Sequence, residues 1–229
     1  MIGEGADDHG GPYRAIFLSA IGEEAERLLD LLVPCPNAQN EVGENRDKLV
    51  FNTTFSSDQS KQRIFEFLGK LTGLACRNSI LIDINLSQLI WKPLVGEALC
   101  DSDFFAVDVH LGTSLNWIQS GDAEDELLLQ NLSSYVDKSV ASRLIKELCM
   151  KNPETVHVEL SQIILHLNYS LHRRILSWFY YGITAIVPTE LFAIFTHQEL
   201  EKVLCGEPEV NIDLLQEATV YDGVSPNET

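Results

Sequence analysis

Apolar residues recur every three or four positions along much of this chain, which is the spacing of amphipathic helices. The pattern predicts its main helices over residues 13–32, 62–76, 109–118, 159–187 and 196–205. The stretch 127–152 is less regular, although Val140, Leu144 and Leu148 keep a helical spacing. A last short helix is predicted over residues 212–220.

Several polar residues stand where these helices are expected to begin. Ser60, Asn85 and Asp108 each precede a helical stretch and are predicted to cap it. Thr196 and Glu199 have the spacing of a capping box, in which each side chain bonds the other residue's backbone N–H. These caps define where the predicted helices start.

Strand signals are few and short. Residues 49–52 favour a strand, and residues 155–159 alternate between polar and apolar side chains as a strand does. Helical patterns dominate the rest of the chain. The predicted fold class is therefore α+β and predominantly helical.

Two glycines lie four residues apart in the predicted helix over 62–76. Gly69 and Gly73 would each cost about 1 kcal/mol relative to Ala in a helix interior. We therefore expect a neighbouring helix to approach closely at these positions, which would compensate for that cost.

The most membrane-like stretch is residues 175–189, which carry no charge. This stretch is shorter than the roughly 18 to 20 residues that a bilayer core requires, and Gly182 and Pro188 interrupt it. The consecutive aromatic residues Trp178 to Tyr181 point in nearly every direction around a helix. The stretch is thus predicted to be a core helix enclosed on most sides, and no membrane partner is expected.

Composition and charge narrow the possible partners. The chain has 229 residues, of which 45% are hydrophobic and 22% charged, so a disordered, collagen-like or disulfide-scaffold protein is excluded. Sixteen basic and 34 acidic residues give a net charge of -18. That charge repels a phosphate backbone, so we expect no nucleic-acid partner and favour a basic protein surface.

The sequence contains no recognisable catalytic or metal-binding motif. No two of the five Cys lie within five residues of each other, and no His pair has the spacing of a zinc-binding helix. The acidic N-terminus does not resemble a secretory signal, so a reducing, cytoplasmic location is expected. The sequence therefore predicts no catalytic residue, no metal and no cofactor.

Several longer motifs together resemble the HECT family of ubiquitin ligases. They are DHGGPYR at 8–14, FEFLGKLTGLACRNSILIDINLSQLIWKPLVG at 65–96, SLNWI at 114–118, and IVPTELFAIFTHQELEKVLCGEPEVNIDLLQEATVYDG at 186–223. PNAQNEVGENRDKLVFN at 36–52 is most similar to the large members that also carry propeller repeats. The motifs follow the family's order across most of the chain, which makes the resemblance specific.

The resemblance implies the larger, N-terminal lobe of a two-lobed catalytic domain. That lobe docks a ubiquitin-conjugating enzyme, while a Cys in a smaller C-terminal lobe takes ubiquitin as a thioester and passes it to a substrate lysine. The family's Thr-Cys motif is not found here, so the catalytic lobe is expected to lie outside this chain. The expected organisation is a disordered N-terminus (1–7), an N-lobe-like partial HECT domain (8–223) with a small subdomain (119–165), and a tail (224–229).

The resemblance also implies a docking groove in the small subdomain. The positions that match its apolar lining are Leu111, Ser114, Leu115, Ile118, Leu127 and Leu128. Acids at Asp122, Glu124 and Asp125 would favour a basic partner surface at its rim. The alternative is that Leu111, Leu115 and Ile118 face the protein's own core.

This sequence departs from the family in the region of that groove. A β-hairpin usual in the family is not recognisable over residues 129–165, and two aromatic positions of the long helix fall near Gln162 and His166. Since aromatic residues are common hot spots of interfaces, a second hypothesis is a non-catalytic interaction module on the same scaffold. A third is a thiol hydrolase that uses Cys76 or Cys35, which would require a thiolate at neutral pH.

Overall fold

The computed structural model describes residues 31–56, 58–82, 84–121, 125–151 and 154–207, together with residue 212. The described part is mostly helical with one two-stranded ribbon, which confirms the predicted α+β, predominantly helical class. The predicted helix over 212–220 and the tail lie outside the described residues, apart from residue 212. Among the described helices, none combines the length and apolar character needed to cross a membrane.

The elements follow one another along the chain with short connections. The strands are β1 (Leu32–Pro34) and β2 (Leu49–Phe51), and 3-10 turns cover Thr53–Phe55 and Thr189–Ile194. The helices are α1 (Pro36–Gln39), α2 (Gln59–Arg77), α3 (Gln88–Leu94), α4 (Asp101–Phe105), α5 (Val109–Gln119), α6 (Asp125–Ser133), α7 (Lys138–Lys151), α8 (Val156–Thr184) and α9 (His197–Cys205).

The ribbon confirms one predicted strand and corrects the end of a predicted helix. β1 and β2 pair antiparallel, with Leu32 opposite Phe51. The helix predicted over 13–32 therefore does not extend to Leu32, because the backbone of this residue pairs with β2 instead. The rest of that helix lies outside the described residues.

Buried side chains form two hydrophobic cores that share helix α8. The first core includes Phe65 of α2 and residues from the second half of α8, such as Phe179 and Ile183. The second includes residues of α4 to α7 and of the first half of α8, such as Leu160 and Ile164. Since its 29 residues span about 43 Å, α8 is a continuous support for both cores.

Helices α2 and α8 cross with almost no space between their backbones. A Cβ atom built on Gly69 would lie 2.1 Å from the Phe179 carbonyl oxygen, and one on Gly182 would lie 2.0 Å from the Glu66 carbonyl oxygen. At Gly73 the nearest obstacle is a side-chain atom, Ile186 Cβ, at 3.0 Å. The close approach predicted from the glycine spacing is confirmed, with Gly182 as its counterpart on α8.

Some local predictions about helix starts are right and others are wrong. The capping box of Thr196 and Glu199 is present at α9. Helix α2 is capped by Asp58, whose carboxylate accepts a hydrogen bond from the Ser60 N–H at 2.9 Å, and not by Ser60. Asn85 donates to Asp47 and does not cap α3, where Ser87 occupies the cap position.

Two further predictions are wrong in part. One is the strand at 155–159, and the other is the aromatic helix enclosed on most sides. Val156 begins α8 and is buried, whereas Val158 is 43% exposed, as expected for two positions on different faces of a helix. Of the aromatic run, Phe179 is fully buried but Tyr181 is 64% exposed. The helix therefore has a solvent-exposed face at its C-terminal half.

We predict that Gly69→Ala and Gly182→Ala each lower the free energy of unfolding by about 1–3 kcal/mol or more, because the new methyl group would clash with a backbone carbonyl. Gly73→Ala should cost less, since the nearest atom to its Cβ position lies at 3.0 Å and leaves more room than at the other two glycines. Urea denaturation of the three variants measures the order. Helix propensity alone would make the Gly69→Ala variant at least as stable as the parent chain. That result would contradict the close crossing.

Candidate functional site

Helix α5 carries most of the predicted docking residues, and polar contacts fix its first turn. The Asp108 carboxylate accepts a hydrogen bond from the Leu111 N–H at 2.9 Å, which confirms the predicted cap. The buried Asn37 side chain accepts from the Val109 N–H at 2.8 Å and donates to the Ala106 carbonyl at 3.1 Å. The bonds of Asn37 hold the start of α5 against α1.

The apolar stripe of α5 faces inwards. The exposed fractions are 7% for Leu111, 3% for Leu115, 0% for Ile118 and 2% for Leu128, and all four belong to the second core. Ser114 and Leu127 are half-buried. This placement favours the alternative in which the stripe packs in the protein's own core, and docking through these six side chains stays a prediction.

Leu111 also borders a cleft of about 430 Å³ between the ribbon, α5 and α8. Asn168 of α8 donates a hydrogen bond to the Tyr135 hydroxyl at 3.0 Å beside this cleft. His172, another lining residue, shares a hydrogen bond with the Asn168 carbonyl, and burial lowers the pKa of its imidazole. The imidazole is therefore held in its neutral form, and neutral polar groups dominate this wall of the cleft.

An exposed face lies next to the buried stripe. Trp117 of α5 is 60% exposed, and Gln162 and His166 of α8, four residues apart, are both exposed. Gln119 donates a hydrogen bond to the Ser161 hydroxyl at 3.0 Å, which joins the end of α5 to the first turns of α8. We use the name junction face for Trp117, Gln162 and His166, which are exposed residues on the two helices that this hydrogen bond joins.

A charged network that sequence reasoning missed positions α4 beside α3. The Lys92 ammonium lies 2.6 Å from the Asp103 carboxylate, which also accepts from the Cys100 N–H at 2.9 Å. Burial opposes ionisation of Asp103, but the hydrogen bonds from Lys92 and Cys100 outweigh it and lower the pKa of the carboxyl group. The sequence signal for this contact was an acid three residues after the N-cap position Cys100.

Helix α4 also contacts α8 through a tyrosine. The Tyr169 hydroxyl donates to the Asp101 carboxylate at 3.3 Å, and its ring packs on Phe104 with centroids 4.3 Å apart. Burial and the nearby Asp101 raise the pKa of Tyr169 to about 12. The phenol therefore remains a hydrogen-bond donor at neutral pH, which maintains the contact.

No disulfide joins the five Cys, all of which lie within the described ranges, and the surroundings of Cys35 and Cys76 do not favour a nucleophile. The Cys35 thiol is buried and donates to the Asn45 carbonyl at 3.1 Å. Burial raises the pKa of Cys76, so its thiolate is disfavoured. The Cys100 thiol is exposed and donates to the Asp103 carboxylate at 3.2 Å. Within the described ranges, no cluster of three His, Cys, Asp or Glu side chains could hold a metal ion.

Two helices occupy the region where the sequence departs from the family pattern. α6 and α7 cover most of residues 125–151, and Leu132, Ala141 and Ile145 contribute to the second core. The predicted acidic rim cannot be placed, because Asp122, Glu124 and the side chain of Asp125 lie outside the described residues. The bounds predicted for the small subdomain, 119–165, likewise stay a prediction.

Comparison with known proteins gives a consistent family match. A family model described as HECT-domain (ubiquitin-transferase) matches residues 23–229. The chain is 29% identical over 229 residues to the E3 ubiquitin-protein ligase HERC2 of Mus musculus, with 99% of this chain and 5% of that protein covered. It is 22% identical over 227 residues to the E3 ubiquitin-protein ligase TOM1 of Saccharomyces cerevisiae, with 96% of this chain and 7% of that protein covered.

A plant relative shows similarity over a shorter stretch. The E3 ubiquitin-protein ligase UPL2 of Arabidopsis thaliana is 25% identical over 171 residues, which is 69% of this chain and 5% of that protein. The chain thus spans 5% to 7% of the length of these curated relatives.

Two substitutions on α5 distinguish its buried stripe from its exposed face. We predict that Leu115→Ala lowers the free energy of unfolding by about 2–5 kcal/mol, as expected for a buried Leu. Trp117→Ala should change it by less than about 0.5 kcal/mol, because most of this side chain is in water. Chemical denaturation measures both. A stable Leu115→Ala variant would show that the stripe is available to a partner after all.

Proposed function

The chain belongs to the HECT-domain family of ubiquitin-transferases, and from that premise we propose that it recruits the ubiquitin-conjugating enzyme in ubiquitin transfer to a protein substrate. A Cys outside this chain would accept ubiquitin as a thioester and pass it to a lysine. The observation that carries the proposal is the family match over residues 23–229.

The surroundings of the thiols support the proposal that this chain docks the conjugating enzyme while a Cys outside it forms the thioester. A nucleophilic Cys must be an accessible thiolate at neutral pH, whereas Cys76 has a raised pKa and Cys35 is fully buried. The same observations count against the hydrolase hypothesis for Cys35 and Cys76. Positioning the conjugating enzyme is a role that needs no nucleophile in the chain.

We infer that docking uses the junction face. The predicted groove residues Leu115 and Ile118 are packed in the second core, so they are not available unless that core opens. Trp117 is an exposed aromatic residue on the same helix, and such residues often dominate the binding energy of an interface. The net charge of -18 favours a basic surface on the partner.

A second candidate function is the non-catalytic interaction module. It is favoured by Gln162 and His166, which are exposed polar residues where the family resemblance implies two aromatic ones. Loss of two aromatic anchors could cost about 2 kcal/mol or more for each. A chain of this kind would keep the scaffold and its acidic surface but bind conjugating enzymes weakly.

The first test is a gain of binding. We predict that Gln162→Phe combined with His166→Tyr tightens the affinity for a conjugating enzyme by roughly tenfold or more, because aromatic anchors would be placed on the junction face. Trp117→Ala should weaken the affinity by a similar factor. Surface plasmon resonance against a panel of conjugating enzymes measures both changes.

Ser177→Phe is the matched control for this experiment. It adds an aromatic residue to the exposed surface of the same helix, roughly 20 Å from Gln162. This variant should leave the affinity unchanged. If neither junction-face variant differs from the parent chain with any member of the panel, the proposed docking face is wrong.

The second test concerns thioester formation. Incubated with a ubiquitin-loaded conjugating enzyme, the chain by itself should form no adduct that a reducing agent cleaves. A polypeptide that adds a HECT C-terminal lobe should form one, whereas the interaction-module hypothesis predicts none in either case. Non-reducing gel electrophoresis reads out both samples, and a thioester on any of the five Cys of this chain would refute the proposed division of labour.

A further inference from the structure

Helix α7 has one buried side and one exposed side. Ala141 and Ile145 are buried and belong to the second core. Arg143, Lys146 and Met150 are all exposed, and their spacing of three and then four residues places them together on one face of the helix. We call these three residues the basic face.

The charge of α7 is opposite to that of the whole chain. Four of its 14 residues are Lys or Arg and only Glu147 is acidic, although the chain has a net charge of -18. Attraction to the negative C-terminal end of the helix accounts for Lys151, but Arg143 and Lys146 lie in the middle. Among the described residues, neither of these two side chains has an ion-pair partner. Their charges are therefore available to another molecule.

An apolar side chain lies beside these two cations. Met150 follows Lys146 by four residues and Arg143 by seven, so it lies on the same face one and two turns further along. It is 81% exposed. Methionine side chains are flexible and polarizable, and they are frequent on surfaces that adapt to a partner. A partner that suits this face thus offers carboxylates together with an apolar side chain.

We propose that the basic face binds a short acidic segment of a partner protein, in which carboxylates pair with Arg143 and Lys146 and an apolar side chain contacts Met150. Exposed charges are screened over about 8 Å at physiological salt, whereas α7 is about 21 Å long. A short segment can therefore lie along α7 without approaching the acids elsewhere on the chain. A membrane, a nucleic acid or a second copy of this chain extends beyond α7 and meets those acids.

This surface differs from the proposed docking face for the conjugating enzyme. The junction face is expected to meet a basic partner surface, which Arg143 and Lys146 would repel. None of the junction-face residues belongs to α7, so substitutions can test the two sites independently. The binding of an acidic segment therefore does not rest on the recruitment of a conjugating enzyme.

Peptides of matched size and different charge test the proposal. The probe is a fluorescent peptide composed mostly of Glu and Asp with one Phe and one Leu, and its matched form carries Gln and Asn in place of the acids. We expect the acidic form to bind the full chain at least tenfold more tightly than the amide form, with an affinity that falls as salt is added. Fluorescence anisotropy measures both affinities.

Substitutions on α7 locate the binding. Arg143→Glu combined with Lys146→Glu should weaken the affinity for the acidic peptide at least tenfold, because like charges then face the peptide. Met150→Ala should weaken it by roughly threefold, since it removes the apolar contact and no charge. Circular dichroism checks that these variants remain folded, as their exposed positions lead us to expect.

Lys70→Glu is the matched control, because Lys70 is an exposed basic residue of α2, a helix that packs in the first core. This variant and the junction-face variant Trp117→Ala should bind the peptide as the parent chain does. The proposal is wrong if Lys70→Glu weakens binding as much as the double variant does.

Three further results would overturn the proposal. The first is that the parent chain does not bind the acidic peptide, which would also be the result if an acidic segment of this chain already covers the basic face. The second is that phosphatidylserine vesicles or a single-stranded RNA bind the chain more tightly than the peptide does and lose that binding in the double variant. The third is a dimer in sedimentation that the double variant dissociates.

Discussion

The close crossing of α2 and α8 is the constraint on which the rest of the structure depends. Gly69 and Gly182 allow two helix backbones to touch, because any Cβ at either position would overlap a carbonyl oxygen. The crossing fixes the second half of α8 in the first core. Since α8 is one continuous helix, its first half is thereby directed to the second core, where it packs against α5. The position of the junction face follows from that packing.

The sequence was most informative where a short stretch decides its own conformation. The Asp108 cap, the capping box at Thr196 and the glycine spacing at Gly69 were predicted because each depends on residues within one or two helical turns. The alternation at Val156 and Val158 misled because two residues cannot distinguish a strand from the start of a helix. Their environment, a core on one side and water on the other, is decided by distant residues.

The candidate site shows the same limit. An apolar stripe on α5 could be read from the spacing of Leu111, Leu115 and Ile118, but the spacing does not say whether a neighbouring helix or another protein covers it. The structure places these side chains in the second core. The spacing does place Trp117 off this stripe, but how much of its side chain is exposed depends on how α5 packs on α8.

The two cores are built from different parts of the sequence, and this difference affects how the protein folds during synthesis. Most of the second core comes from residues 104–164, a nearly continuous stretch. The first core joins residues 31–95 to residues 175–204, so it cannot close until α9 has left the ribosome. Contacts between such distant residues form slowly. The apolar face of α2 therefore stays exposed until the second half of α8 and α9 have been synthesised. During that interval chaperones can bind this face of the nascent chain.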